Sequence, residues 1–398
     1  MKLPIYMDYH STTPTDPHVL GAMLPFFSEK FGNPASRQHQ FGWIAEEAVE
    51  SSRATIANAI GALPKEIIFT SGATESNNLA IKGAAEIYSQ KGKHIITAVT
   101  EHKAVLDSCK NLERHGFSIT YLPVDKYGLI SLELLSESIT PKTILVSIMA
   151  ANNEIGTIQD IAAIGKLCHD KNVLFHTDAV QAFGKYPIDI QKLNVDLMSL
   201  SGHKIYGPKG IGVLFVRASN PKVKLMMQMD GGGHERGIRS GTPNVPLIVG
   251  LAKAIEISSK VLEEETSRLK SLRDKMWKLF RDKIEEISLN GHPEQRLPNN
   301  LNVSFGYIEN SALMMSMKDI AVSTGSACTT GDPEPSHVLK ALKLPPDRLH
   351  SAIRFGLGRF TTEEEVNYVI DEVIKNVHKL RKFSSAFNFK NQKPMFYE

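Results

Sequence analysis

Between about residue 44 and residue 217, strand-like and helix-like segments alternate along the chain. Short apolar runs rich in β-branched residues predict seven strands, at Ile67–Ser71, His94–Thr100, Ser118–Val124, Thr143–Met149, Val173–Thr177, Asp196–Leu200 and Ile211–Arg217. Amphipathic stretches predict helices between most of them, at Ile44–Ile60, Glu75–Gln90, Lys103–His115, Ser131–Ser138 and Asp160–Lys171. Strands that alternate with helices form βαβ units. The sequence therefore predicts an α/β fold around a mostly parallel seven-stranded sheet.

The sequence after this region changes in character. A long, charged amphipathic helix is predicted from about Pro246 to Ile287, and it leads into a smaller α+β domain. That domain is predicted to contain a strand at Asn300–Phe305, the loop around Cys328, a strand at Ile353–Gly358 and a closing helix at Thr362–Lys382. We therefore expect a large domain over residues 15–260 and a small domain over residues 1–14 and 261–398, which carries the Cys328 loop.

Two of the predicted strands end in residues that suit cofactor chemistry. Lys204 follows one apolar run through Ser201-Gly-His, and Asp178 follows Val173–Thr177. Sequential strands are usually neighbours, and open α/β sheets bind ligands at the carboxyl ends of their strands, so both side chains should reach one crevice. The lysine suits a Schiff base with pyridoxal phosphate, and the carboxylate suits its pyridine nitrogen. An isolated Asp/Lys pair is more often a surface ion pair, so the neighbouring segments must support this interpretation.

The segment that follows Lys204 predicts the direction of the next strand. Only a short, glycine-containing stretch separates Lys204 from the run that starts at Ile211. A parallel return needs a long crossover connection. We therefore expect the strand after Lys204 to run antiparallel to the strand before it.

Composition argues against several classes of function. The net charge is +3, from 46 basic and 43 acidic residues without a long basic block, so no direct nucleic-acid partner is expected. No apolar stretch reaches the length of a membrane span, and the N-terminus lacks the apolar core of a secretion signal. Three cysteines without a CxxC pair favour a reducing compartment, and we expect a cytoplasmic protein that does not bind membranes. No His/Cys spacing indicates a zinc site, and no metal is expected.

Six segments of the chain form a recognisable set: Phe69–Ser76, Thr100–Val105, Asn152–Gly156, Ser201–Gly210, Gly231–Arg236 and Arg239–Thr242. The set resembles the cysteine desulfurases, and most of all the housekeeping members that supply sulfur for iron–sulfur clusters and tRNA thiolation. The likeness runs from Ile5 to about Leu380. It implies a homodimeric, fold-type-I enzyme that uses pyridoxal 5'-phosphate. It also implies that L-cysteine is converted to L-alanine and a persulfide on the enzyme.

The resemblance assigns cofactor roles to single residues. Lys204 would bind the cofactor as a Schiff base, and Asp178 would pair with the pyridinium nitrogen. His102 would stack on the ring and assist proton transfer, although a histidine at a strand end can also simply cap the following helix. The phenolic oxygen and the phosphate would be contacted by Asn153, Gln181, Ala73, Thr74, Ser201, His203 and, from the other subunit, Thr242.

The resemblance also assigns the substrate-binding and sulfur-transfer residues. Arg354 would bind the substrate carboxylate, because a guanidinium fork matches a carboxylate bidentately, and Asn33 would assist it. Cys328 lies among small residues and prolines, which predict an exposed loop, and its thiolate would attack the substrate sulfur. Cys109 and Cys168 lie in helical patterns and are interpreted as packing residues.

The expected partners are L-cysteine, a second copy of the chain, and an iron–sulfur scaffold protein or other sulfur acceptors. A transient contact with a 2Fe–2S cluster through Cys328 belongs to the same expectation. The segment after Lys382 does not resemble the scaffold-binding C-terminus of the family. Alternative functions are a selenocysteine lyase or an aminotransferase on the same fold, in which Cys328 would be incidental. A non-catalytic assembly scaffold is a further alternative, which the intact Lys204, Asp178 and Cys328 disfavour.

Overall fold

The structure is a computed structural model of the 398-residue chain, and it describes residues 2–324, 335–384 and 387. Cys328, the predicted sulfur nucleophile, lies outside the described residues. Within those ranges, no helix is long and apolar enough to cross a membrane.

Twelve strands are present in the described part of the chain. They are β1 (Ile5–Tyr6), β2 (Ile67–Thr70), β3 (His94–Ala98), β4 (Ser118–Leu122), β5 (Thr143–Ser147), β6 (Leu174–Asp178), β7 (Leu197–Ser201), β8 (Gly212–Val216), β9 (Ile287–Leu289), β10 (Asn300–Phe305), β11 (Ile320–Ala321) and β12 (Ala352–Gly356). Seven of them form the main sheet, in the order β2-β8-β7-β6-β5-β3-β4. All neighbours are parallel except those of β8, which is antiparallel to both β7 and β2. The predicted fold class and the predicted return of the strand after Lys204 are both confirmed.

The described helices lie between these strands and at the two ends of the chain. They are α1 (Pro17–Met23), α2 (Pro25–Ser28), α3 (Gln40–Ile60), α4 (Ala73–Tyr88), α5 (Lys103–Arg114), α6 (Leu132–Ser138), α7 (Ile161–Asp170), α8 (Val245–Lys283), α9 (Asn310–Ser316), α10 (His337–Ala341), α11 (Pro346–Leu349) and α12 (Glu363–Lys382). Helix α3 begins at Gln40 rather than at the predicted Ile44. Its first turn carries the exposed Phe41 and Trp43, so no buried face marks that turn in the sequence.

The central strands of the main sheet are covered on both faces. Every residue of β5, β6, β7 and β8 is buried, as expected for strands with helices on both sides. Successive side chains of a strand point to opposite faces. Accordingly, the neighbours Leu174 and Phe175 of β6 belong to two separate apolar clusters. This alternation decides which side chains of each strand end can share a site.

A second apolar core lies in the C-terminal part of the chain. The antiparallel sheet β12-β10-β9, the pair β1-β11 and helix α12 surround it. Phe280 of α8 packs there, with its ring centroid 5.8 Å from that of Phe305 and 5.6 Å from that of Phe355. Ile5 and Met7 belong to the same cluster, so the N-terminal segment packs with the C-terminal part. The division at residues 14 and 260 agrees with this distribution and stays a prediction.

Candidate active site

A cleft of about 500 Å³ lies at the carboxyl ends of β6 and β7. Open α/β sheets bind their ligands at this position. Of the sequence-predicted site residues that the structure describes, its lining includes all except Asn33 and Thr242. The predicted residues that line it are Ala73, Thr74, His102, Asn153, Asp178, Gln181, Ser201, His203, Lys204 and Arg354.

Lys204 reaches the cleft through a single tight turn. Strand β7 ends at Ser201, and residues 202–204 form one 3-10 turn. A Cβ atom at Gly202 would lie 2.8 Å from the carbonyl oxygen of Pro208, so a glycine lets the turn close. The Lys204 Nζ donates hydrogen bonds to the carbonyl oxygens of His10 and Ser11, both at 2.6 Å. The turn and the N-terminal segment together fix the amine in the cleft.

Asp178 is the last residue of β6, and its carboxylate is oriented by neutral donors. Oδ2 accepts a hydrogen bond from Asn77 Nδ2 at 2.7 Å, and Oδ1 accepts one from the backbone N–H of Val180 at 3.0 Å. The residue is 7% exposed, and it forms no ion pair within the part of the chain that the structure describes. A buried carboxylate without a cationic partner is costly. Asp178 is therefore suited to pair with a positively charged group of a ligand.

The start of helix α4 lies at one end of the cleft and has features that suit an anion. The N-cap residue, Gly72, provides no side-chain cap, and the first N–H groups of a helix lack partners within the helix. These groups and the helix dipole favour an anion. A Cβ atom at Gly212 would lie 2.6 Å from the Cα of Gly72, so the close approach of β8 requires glycine. Thr74 and Ser201 bring hydroxyl groups to the same lining.

His203 follows Ser201 through Gly202 and also lines the cleft. Burial, reinforced by the nearby Lys204 and Lys209, lowers the pKa of His203 to about 4. Its Nδ1 lies 3.1 Å from the Thr12 hydroxyl. The ring is therefore neutral at physiological pH and can donate one N–H hydrogen bond.

His102 caps the following helix, and it also lines the cleft, where its role toward the cofactor ring stays a prediction. Its Nδ1 accepts a hydrogen bond from the backbone N–H of Ala104 at 3.1 Å, so the ring caps α5. The same ring lines the cleft. The cap fixes the ring, because Nδ1 must act as the acceptor and any proton of the neutral ring is then on Nε2.

Gln181 connects the cleft to the N-terminal segment. Its Oε1 lies 2.9 Å from His10 Nδ1, and its Nε2 donates to the carbonyl oxygen of His10 at 3.0 Å. Burial holds the pKa of His10 well below its usual range, and Arg354 acts in the same direction. His10 had no role assigned from the sequence, in which His10 and Ser11 stand where the family more usually has two small residues.

Arg354 lies in the middle of β12, not at a strand end, and its side chain is 2% exposed. Its Nη2 donates to Asp8 Oδ1 at 2.7 Å and to Ser11 Oγ at 3.2 Å, while Nη1 donates to the carbonyl oxygen of Asn153 at 2.8 Å. Nε has no partner within the described residues. The guanidinium is rigidly held, because three of its five N–H groups have acceptors among the described residues. Asp8, its ion-pair partner, was not identified from the sequence.

Comparisons with known proteins agree with this geometry. The family model "Aminotransferase class-V" matches residues 5–369. Cysteine desulfurase IscS of Salmonella arizonae is 56% identical over 394 residues, which cover 98% of this chain and 97% of the relative. The chain belongs to the cysteine desulfurase family. Enzymes of this family use pyridoxal phosphate.

Solved structures agree with the family assignment. A NifS-like protein matches with a TM-score of 0.87 and 40% identity, over 95% of this chain and 99% of that protein. A structure titled SspA in complex with cysteine matches with a TM-score of 0.79 and 39% identity, over 90% of this chain and 100% of that one. Both matches extend over nearly the full length of the two chains.

Two predicted residues of this desulfurase-family chain do not reach the cleft. Asn33 is exposed, and its Oδ1 accepts a hydrogen bond from the backbone N–H of Ala35 at 2.9 Å. Thr242 is also exposed and does not line the cleft. Cys109 and Cys168 are fully buried, and burial raises the pKa of each thiol to about 12. Their interpretation as packing residues is confirmed.

Proposed function

We propose that this chain binds pyridoxal 5'-phosphate in the cleft and converts L-cysteine to L-alanine, with Cys328 receiving the sulfur as a persulfide. The observation that carries the proposal is the convergence of Lys204, Asp178 and the start of α4 on one cleft that also contains Arg354. The identity of 56% to a cysteine desulfurase and the likeness to SspA, whose structure contains cysteine, support L-cysteine as the substrate.

The groups in the cleft match the parts of the cofactor one by one. The start of α4, with Ser201 and His203, suits the phosphate, because N–H and O–H donors lie together there. Asp178 suits the ring nitrogen, because it is buried and held only by neutral donors. Lys204 supplies the amine that holds the cofactor covalently. His102 would contact the ring, and Asn153 and Gln181 would orient its phenolic oxygen.

The cofactor, when bound, supplies an electron sink for the electron pair left when the substrate Cα loses its proton. Lys204 Nζ is the group in the cleft that takes this proton, and it can return it later. Asp178 favours the protonated ring nitrogen, because an ionised carboxylate stabilises a nearby cation. Arg354 orients the substrate by binding its carboxylate through the guanidinium group. His102 is held in place for this work by its hydrogen bond to Ala104.

The sulfur-transfer step is assigned to Cys328 from the sequence alone. Its thiolate attacks the substrate sulfur and forms an S–S bond. The substrate C–S bond breaks, and its electron pair passes to the carbon, which takes up a proton and leaves as alanine. Cys109 and Cys168 do not compete for this role, because burial and a raised pKa of about 12 keep both thiols protonated.

The proposal includes a homodimer, and two features of the surface support it. Several large apolar residues of the N-terminal segment are exposed: Leu20, Leu24, Phe27, Phe31, Phe41 and Trp43. Exposed apolar patches of this kind mark protein interfaces. Thr242 is exposed and outside the cleft of its own chain, so a second copy could use it. Asn33 lies in the same exposed N-terminal segment and keeps its proposed role in substrate binding.

The persulfide sulfur would pass to an iron–sulfur scaffold protein or to other acceptors for thiolated tRNA and cofactors. A transient 2Fe–2S contact through Cys328 remains part of this proposal. The family membership supports sulfur delivery in general. Incubation of the persulfide form with candidate acceptors would identify the one that takes the sulfur.

Borohydride reduction followed by peptide mass spectrometry tests the cofactor. We expect a yellow protein that borohydride bleaches, with the label on Lys204. Incubation with L-cysteine should then yield alanine and protein persulfide in equal amounts before an acceptor is added. A colourless protein that forms neither product would support the non-catalytic scaffold instead. Equal turnover of selenocysteine without any persulfide on Cys328 would support the lyase.

A further inference from the structure

A second cavity, of about 480 Å³, lies on the other side of the strands that build the cleft. Along two shared segments of the chain, residues that line this cavity alternate with residues that line the cleft. Thr177 and Ala150 line the second cavity, whereas their neighbours Asp178 and Ala151 line the cleft. Since successive side chains of a strand point to opposite faces, the two sites lie back to back on β6 and on the segment after β5.

Two buried cations line this rear cavity. Lys185 is 8% exposed and Arg296 is 5% exposed. Lys185 Nζ donates only long hydrogen bonds, of 3.3 Å to the carbonyl oxygen of Gln181 and 3.4 Å to that of Lys204. Neither cation forms an ion pair within residues 2–324 and 335–384. Glu265 acts on Lys185, and Asp274 acts on Arg296, without forming an ion pair with it. Burial of a charge without an ion-pair partner is expensive, so an anion bound in the rear cavity would offset part of this cost.

Two polar groups in the rear cavity lack a hydrogen-bond partner. Arg296 donates to the carbonyl oxygens of His292 and Asn290, but its Nη1 has no partner in the described structure. The hydroxyl of Thr177, which is 1% exposed, also has none. Buried polar groups are nearly always hydrogen-bonded, so both groups lack an acceptor among the described residues. Both atoms are shielded from solvent, so a ligand in the cavity reaches them only if the two side chains turn toward it.

The remaining wall of the rear cavity is mainly apolar. It includes Ile158, Ile161, Leu193, Met198 and Pro298. The two carboxylates of the lining, Asp160 and Glu294, belong to exposed residues, so they leave the buried part of the cavity positive. A cavity with this lining suits a ligand with an anionic head and an apolar body.

We propose that the rear cavity binds a small organic carboxylate, with Arg296, Lys185 and Thr177 holding the carboxylate and the apolar wall holding its body. A carboxylate fits because a guanidinium donor, an ammonium and a hydroxyl can all donate to its two oxygens. The rear cavity does not overlap the site of the proposed reaction. It is joined to that site by the hydrogen bond from Lys185 to the carbonyl oxygen of Lys204.

Binding of the carboxylate is coupled to the protonation of Lys185. Burial, reinforced by the nearby Lys204, lowers the pKa of Lys185 to about 7, while Glu265 opposes the shift. The other titratable groups that interact with Lys185 are the rings of His10 and His203, whose pKa values are also low, so both are neutral near pH 7. An anion beside Lys185 favours its charged form. Binding should therefore take up protons near pH 7 and weaken as the pH rises above it.

Isothermal titration of the cofactor-loaded enzyme with sodium hexanoate tests the proposal, with 1-hexanol as the neutral probe of the same body. We expect one hexanoate site per chain, weaker binding of hexanol, and proton uptake in buffers of different ionisation enthalpy. Arg296→Met and Lys185→Met should each weaken hexanoate binding about tenfold or more, the loss expected for a hydrogen bond to a charged group. Lys192→Met, which removes an exposed lysine, is the matched control.

The active site could also bind a carboxylate, so a second arm separates the two sites. Hexanoate binding that survives in Arg354→Lys but is lost in Arg296→Met supports the rear cavity. Binding that is lost in Arg354→Lys and kept in Arg296→Met overturns the proposal. Equal binding of hexanol and hexanoate by the wild type also overturns it, because the rear cavity would then recognise only an apolar body. This probe comparison needs no variant, so it holds even if a substitution prevents folding.

Discussion

The two faces of strand β6 differ in how many of their polar side chains have hydrogen-bond partners among the described residues. On the cleft face, Asp178 accepts hydrogen bonds from Asn77 and Val180, and His176 lies between two serine hydroxyls. On the rear face, Thr177 has no partner in the described structure, and Arg296 nearby keeps an unpaired Nη1. The described residues therefore supply the hydrogen bonds that orient the Asp178 carboxylate, whereas they supply none to the Thr177 hydroxyl or to Arg296 Nη1.

Burial alone does not distinguish Lys204, the lysine that we propose to be reactive, from Lys185. Lys185 and Lys204 both donate to backbone carbonyls of the same region, and Lys185 is the more deeply buried of the two. Only Lys204 shares the cleft with Asp178 and the start of α4. The role proposed for Lys204 therefore depends on the groups around it. The following experiments test whether the cleft holds the reactive groups.

Lys204→Ala should have the largest effect, the loss of alanine formation. The substitution removes the amine that we propose to hold the cofactor and to move the Cα proton. Alanine released from L-cysteine is the quantity to measure. Lys192→Ala, at an 83% exposed side chain, should keep full activity. Wild-type turnover in Lys204→Ala would show that the cleft face does not hold the catalytic lysine.

Cys328→Ser should abolish persulfide formation while cysteine still binds. A hydroxyl has a similar shape but does not act as a sulfur nucleophile at neutral pH. Mass spectrometry of the protein after incubation with L-cysteine detects the added sulfur, and the change in absorbance reports substrate binding. Persulfide on Cys109 or Cys168 would contradict the assignment, because both thiols are buried with a pKa of about 12.

A mixed dimer tests whether the cleft face is complete within one chain. Thr242→Asp should weaken cofactor binding, because a carboxylate would face the phosphate. If Thr242 acts across the interface, co-expression with Lys204→Ala restores one active site per mixed dimer. The Thr242→Asp chain then keeps its own Lys204 and uses the partner's intact threonine. Mixed dimers that form and stay inactive would place Thr242 in the site of its own chain.

Arg354→Lys should raise the KM for L-cysteine and change kcat much less. An ammonium does not reproduce the bidentate fork, and the expected loss is about 1.5–3 kcal/mol, the range for a hydrogen bond to a charged group. Steady-state kinetics measure both constants. An unchanged KM would mean that another group binds the substrate carboxylate, and Asn33 would then be the next residue to test.

The sequence predicted those parts of the site that follow from strand ends. Lys204 and Asp178 each follow an apolar run, and the end of a parallel strand is where a ligand binds. Contacts between distant segments left no such local pattern. Asp8 pairs with Arg354 across 346 residues, and His10 reaches Gln181 across 171. The rear cavity is a further case, because Arg296 belongs to no motif and only packing brings it close to β6.

A final prediction concerns stability rather than activity, at His176, the second polar residue on the cleft face of β6. Its Nδ1 lies 2.8 Å from Ser147 Oγ and its Nε2 lies 3.0 Å from Ser199 Oγ. Burial lowers the pKa of His176 from 6.5 to about 3. Between these two pH values the unfolded chain binds the proton and the folded chain does not. His176 therefore lowers the free energy of unfolding as the pH falls through this window, by up to about 1.4 kcal/mol per pH unit.

Replacement of His176 by glutamine should remove this part of the pH dependence, since the amide can still bond both serines but does not titrate. Urea unfolding midpoints measured at several pH values between about 4 and 7 would report the difference in slope. The low pKa values of His10 and His203 act in the same direction and remain in the variant, so the slope should decrease without vanishing. His115→Gln, at an exposed histidine, is the control and should follow the wild type. Identical slopes for His176→Gln and the wild type would mean that His176 can take up its proton inside the fold. The two hydrogen bonds of His176 would then hold its neutral ring less firmly than their distances indicate.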